Sequence, residues 1–199
     1  MAPGTATVTV MAGDAVAGEA GLGTLRYLLV RPAGRTRLLV TKGIACLAFC
    51  LAATAVVSVA GLIAGSILFP LGRVTTLSGD TLTLAAGSVR IGVAAVLVAL
   101  SLMGLAAIGL FISTLTDVPV GAMAATLATF ILIGALDALP QTRAIHPWLL
   151  TEHWLSYADV MRTHISWDGI VRNIGLQALY VAVFGTAAWA QLVGKDITA

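Results

Sequence analysis

The stretch GIACLAFCLAATAVVSVAGLIAGSILF, residues 43–69, contains no charged side chain. A helix needs ~20 mostly apolar residues to cross the hydrocarbon core of a bilayer, and this run exceeds that length. Similar runs follow at 91–116, which is uncharged, at 118–136 after only Asp117, and at 174–194. None shows the apolar-polar alternation of a membrane barrel, so helices are the expected way to satisfy these backbone groups in lipid. Composition agrees. Of 199 residues, 59% are hydrophobic and 10% charged, and mean hydropathy is +1.00. Soluble domains carry about 25% charged residues. A chain so poor in charge cannot cover a water-facing surface. The fold class is therefore all-α and polytopic, with four full transmembrane helices.

A partial helix is expected at 5–18. Residues 5–17, TATVTVMAGDAVA, are too short and too rich in Thr to span alone, and Met1 to Gly4 lack the basic start of a signal peptide. The segment reads as the cytoplasmic half of a helix whose start lies elsewhere, or as an interfacial helix.

Lysine and arginine in short loops set orientation. Arg26, Arg31, Arg35, Arg37 and Lys42 crowd the segment before the first full span. The next loop holds Arg73 and Arg90, and the turn at Asp117 has no basic residue. The following connection spreads Arg143, Arg162 and Arg172 over a longer stretch, and Lys195 lies in the tail. Totals on the two sides are nearly even, so density decides: the basic N-terminal segment, the Asp117 turn and the tail are expected to be cytoplasmic. The net charge of +2 gives no electrostatic case for a nucleic-acid partner.

Between the last two spans, LLTEHWLSYADVMRTHI repeats apolar residues at helical spacing: Leu150, Trp154, Ala158, Met161 and Ile165. An amphipathic helix is expected over 145–166, lying on the outer leaflet. Trp148, Trp154, Tyr157 and Trp167 suit the interface with membrane lipids.

Several chemistries are looked for and not found. His146, His153 and His164 share the outer loop with Glu152 and Asp159, but their spacing matches no zinc-protease motif. They read as interfacial polar residues, and no metal or cofactor is expected. Gly194 and Lys195 lack the rest of a phosphate-binding loop, so the chain is not expected to hydrolyse ATP itself. LSGD at 77–80 echoes a nucleotide-binding signature by chance. Asp117 and Asp137 fall beside Pro119 and Pro140 and read as helix-boundary residues rather than a proton relay. Cys46 and Cys50 share one helix face as small packing residues. Gly61 and Gly65 form a small-xxx-small pair that would allow close helix approach, within the chain or between copies.

The basic segment has further punctuation. Glu19, Gly23, Thr24, Leu25, Arg26, Leu28, Leu29, Arg31, Pro32, Arg35 and Lys42 form a pattern that resembles the permease subunits of ABC-2 type transporters. The tail AQLVGKDITA and the outer segment HPWLLTEHWLSYADVMR resemble the same family, so the likeness covers most of the chain. The resemblance implies a half-transporter that pairs with a second permease copy or homologue and with separate ABC ATPase subunits in a bacterial inner membrane. It also implies that 20–42 is a cytoplasmic coupling segment whose short helix docks into the ATPase. Leu25, Leu28 and Leu29 would supply its apolar face, with Arg26 pointing elsewhere. Pro32 and Gly34 are expected to stop that helix and turn the chain. Arg31, Arg35 and Arg37 would hold lipid headgroups or acidic ATPase side chains. Such permeases usually have six spans, and this chain starts inside the second. A start assigned too late, a truncated gene and a minimal form all fit. The alternative function, of a different class, is a non-transporting membrane anchor that recruits a soluble partner through the basic segment.

Overall fold

The computed structural model describes residues 32–68, 74–76, 78–116 and 118–194. The expected partial helix at 5–18, most of the coupling segment and Asp117 lie outside them. Among the described residues, four helices are long and apolar enough to cross a membrane, as the charge-free runs require.

The first, α1, runs from Pro32 to Leu68 over 37 residues. At 1.5 Å per residue this is about 55 Å, against a hydrocarbon core of about 30 Å. The surplus lies at the basic N-terminal end. Pro32 and Gly34 sit in the first turn of α1, and the short helix they are expected to end lies outside the described residues. Proline lacks an N–H, and the first-turn N–H groups have no intrahelical acceptor, so Pro32 fits a helix start as well as a stop.

A short antiparallel hairpin follows, β1 (Val74–Thr75) with β2 (Thr81–Leu82), pairing Val74 with Leu82 and Thr75 with Thr81. Its turn contains Gly79 at φ +91°, a conformation that side chains on L residues disfavour. Thr83 then caps α2 (Leu84–Ser101), its hydroxyl accepting from the Ala86 N–H at 3.4 Å. This helix starts earlier than the expected 91 because Arg90 finds partners. The Arg90 guanidinium donates to the carbonyls of Val160 at 3.2 Å and Arg162 at 2.6 Å.

A break at Leu102 separates α2 from α3 (Met103–Leu115). The Leu102 N–H is shared between the carbonyls of Val98 and Ala99, both at 3.2 Å. Together α2 and α3 form one span, Leu84–Leu115, and it is by far the most buried of the four, 56% against 11–22% for the others. The core is therefore built around it. Helix α4 (Pro119–Ala138) opens on a proline and ends beside Asp137, which is a boundary residue as expected. The last helix, α5 (Trp167–Gly194), packs chiefly against α3, while α1 packs chiefly against α2. It starts ahead of the expected 174 because Asp168 suits the positive end of the helix dipole and Asn173 finds polar partners inside the protein.

Cys46 and Cys50 are buried with Ala99, Leu102, Ala106 and Leu110, which is the packing role read from their spacing. On the far side of α1 from Cys46 and Cys50, Val56, Val59, Ile63 and Ile67 are exposed, as lipid-facing residues should be. Gly61 and Gly65 have no described atom within 4 Å of where a Cβ would stand.

The outer segment is helical in short pieces rather than as one α-helix over 145–166. Three 3₁₀ turns span Pro140–Thr142, His146–Trp148 and Trp154–Met161. Pro140 and Pro147 each remove a donor, and the tighter i→i+3 turn tolerates this in short runs. The tighter winding also changes which residues face inward. Leu149, Leu150 and Val160 are buried, whereas Leu155 is exposed.

Candidate functional site

Of the residues expected to couple to an ATPase, Glu19, Gly23, Thr24, Leu25, Arg26, Leu28, Leu29 and Arg31 lie outside the described residues. Pro32 and Arg35 fall in the first turns of α1. The segment thus feeds directly into a long helix. That helix is tied near its base, where the Trp189 indole N–H donates to the Thr36 hydroxyl at 3.0 Å. The link joins the start of α1 to the end of α5, so both termini of the described bundle lie at one end, as loop parity requires.

The second candidate lies deep in the bundle, at the Leu102 break. Breaking a helix frees backbone groups that lipid cannot satisfy, at several kcal/mol each. Here α5 supplies the partner. Gln177 accepts the Gly104 N–H at its Oε1 at 3.0 Å and donates from Nε2 to the Leu150 carbonyl at 3.2 Å. The same Nε2 contacts Asn173 Oδ1 at 3.3 Å, and Asn173 Nδ2 donates to the Ser101 hydroxyl at 2.6 Å. Ser101 in turn donates to the Leu97 carbonyl at 2.8 Å. Ser101, Asn173 and Gln177 are all buried. One connected network therefore joins α2, α3, α5 and the outer segment at the place where the central span is interrupted.

This site was missed in sequence reasoning. Asn173 and Gln177 stand i, i+4 on one face of an apolar helix, which is the available signal. Placing Asn173 in a loop concealed the pair. Glycine at 104 is also required: a Cβ there would lie 2.4 Å from both Gln177 Oε1 and Leu150 Cδ1. Gln177→Leu should lower stability by about 2 kcal/mol, because it orphans a buried N–H and a buried carbonyl together. Unfolding in mixed micelles measures this. A double-mutant cycle with Ser101→Ala should give a coupling of ~0.6–1.7 kcal/mol through Asn173. A Gln177→Leu chain as stable as wild type would show the network to be dispensable.

Beside the network, a groove of about 400 Å³ opens between α1 and α2 under the third 3₁₀ turn. Its walls include Val57, Ala94, Val98, Leu102, Trp154 and Met161, and they are almost wholly apolar. Trp154 stacks on Phe130 with ring centroids 5.7 Å apart, fixing the outer segment over α4. The described residues thus form a lipid-facing shell around a polar network in the middle span, closed at one end by the 3₁₀ turns.

These features define a multi-pass α-helical membrane protein with a jointed central span. The ABC-2 family transporter protein domain matches residues 5–191, and the chain belongs to that family. It is accordingly a membrane permease of an ABC transporter. No curated protein and no solved structure matches the chain.

Proposed function

We propose that the chain is the permease subunit of an ATP-binding-cassette exporter in a bacterial inner membrane, driven by a separate ATPase and working with a second permease. Family membership carries this reading. In it, the basic segment at 20–42 is cytoplasmic and docks on the ATPase. Two features support that role for the segment. It is continuous with α1, so a displacement there reaches a helix that crosses the whole membrane. Its Arg26, Arg31, Arg35 and Arg37 also supply positive charge suited to anionic headgroups or acidic ATPase side chains.

Co-purification tests the reading. The tagged chain, extracted from its native membrane, should bring down an ABC ATPase. The complex in proteoliposomes should show ATPase activity that rises with exported substrate and is blocked by vanadate. Stable ATPase capture with no ATP-driven transport of any kind would favour the anchor function instead. Absence of any captured ATPase would reject the ATPase-driven reading.

A further inference from the structure

The outer end of the bundle brings together three side chains that sequence spacing kept apart. Asp137 near the end of α4, His146 in the second 3₁₀ turn and Glu152 beyond it each offer a ligand atom, all within 4.8 Å of one another. They come from different turns, so no linear motif announces them. His153 and His164, which accompany His146 in the sequence, do not join the group.

The hydrogen bonds around the group fix its chemistry. The Thr142 hydroxyl has one hydrogen, and it is directed to the carbonyls of Leu136 and Leu139. Toward His146 Nε2, 3.1 Å away, Thr142 Oγ1 is therefore the acceptor. With Nε2 donating to that oxygen, the lone pair of the imidazole stands on Nδ1, available to a metal ion. This is the outer-shell arrangement that orients a metal-binding imidazole. Asp137 is held likewise: its Oδ2 accepts from the Thr151 hydroxyl at 3.1 Å, leaving Oδ1 free of that bond. Glu152 is exposed and has rotamer freedom to close on a shared ion. Tetrahedral zinc ligands stand about 3.3 Å apart, so ligand atoms within 4.8 Å of one another need only a modest closure onto a shared ion.

We propose that Asp137, His146 and Glu152 form a zinc-binding site on the outer face, with Thr142 and Thr151 as positioning residues. Two carboxylates balance the charge of a divalent cation. The imidazole favours zinc over magnesium or calcium, which prefer all-oxygen sites. The bound ion staples the end of α4 to the turn that precedes Leu149 and Leu150. Its role is structural, and it requires nothing of the transport cycle.

The test uses the full chain without a histidine tag, purified in detergent and stripped with chelator. Calorimetric titration with zinc chloride should give one zinc per chain, and zinc should raise the melting temperature where magnesium does not. Asp137→Asn, His146→Ala and Glu152→Gln should each weaken binding by about 100-fold or more, and Thr142→Val by roughly 10-fold. His164→Ala should bind as wild type. Glu152 is exposed, so Glu152→Gln folds even if the Asp137 variant does not. No stoichiometric zinc, or wild-type affinity in Glu152→Gln and His146→Ala, overturns the site.

Discussion

A chain carrying Leu25→Asp and Leu28→Asp together is expected to reach the membrane in normal amount and to lose ATP-driven efflux by at least about 100-fold. Leu25, Leu28 and Leu29 stand at i, i+3 and i+4, so they would share one face of a helical turn. If that face fills an apolar groove on the ATPase, each leucine contributes about 1.5–3 kcal/mol of burial. A carboxylate in its place adds the cost of desolvating a charge. Loss of only 3 kcal/mol in docking is about 100-fold in affinity. Membrane insertion should be unaffected, because both positions precede the first charge-free run. Two readouts separate the steps: ATPase captured by the tagged variant, and substrate efflux from vesicles. Arg26→Ala, at a position read as facing away from the docking surface, should reduce capture by no more than a few-fold. Wild-type efflux in the double variant would remove the docking helix from the proposal and leave family membership untouched.

The second large effect is expected at Gly104. Gly104→Val should destabilise the bundle by about 3–5 kcal/mol, read as a loss of folded fraction in mixed micelles and a lower melting temperature. Even a lone Cβ meets Gln177 Oε1 and Leu150 Cδ1 at 2.4 Å and Tyr180 Cβ at 3.2 Å. The first two atoms end flexible side chains, which could ordinarily step aside. Here they cannot do so cheaply. Leu150 is fully buried, and moving Gln177 breaks its bond to the Gly104 N–H. Overpacking alone typically costs 1–3 kcal/mol, and an orphaned buried donor adds about 1–3 kcal/mol. Gly92, with nothing within 4 Å, provides the control: Gly92→Ala should leave stability within ~1 kcal/mol of wild type or raise it. Equal effects at the two glycines would show that close approach at 104 is not the cause.

The membrane class and the number of full spans were readable because lipid imposes a length and a purity on each run. Gly43 to Leu68 could hardly be anything else. The ends of the spans were less legible. Arg90 looked like a loop residue until the carbonyls of Val160 and Arg162 were found to receive it. Asn173 looked like a loop residue until Ser101 and Gln177 did the same. In both cases a polar side chain entered a span because a partner from a distant part of the chain awaited it, and periodicity carries no information about distant partners. Pro32 is a different case: it opens α1, and the helix it is expected to close lies outside the described residues. Proline is compatible with the first turn of a helix and with the residue just past its end, and local sequence alone does not choose. The zinc ligands share the first difficulty, since Asp137 meets His146 and Glu152 only once α4 and the outer turns are in place.

The contrast between the first two spans has a consequence for how each is accommodated in lipid. Beyond its opening residue α1 contains no proline and continues unbroken to Leu68, so its backbone donors and acceptors are satisfied within the helix itself. Its neighbour is interrupted at Leu102 and depends on Gln177, from another helix, to receive the Gly104 N–H. The first span is self-sufficient in a bilayer, whereas the second is complete only once α5 stands beside it.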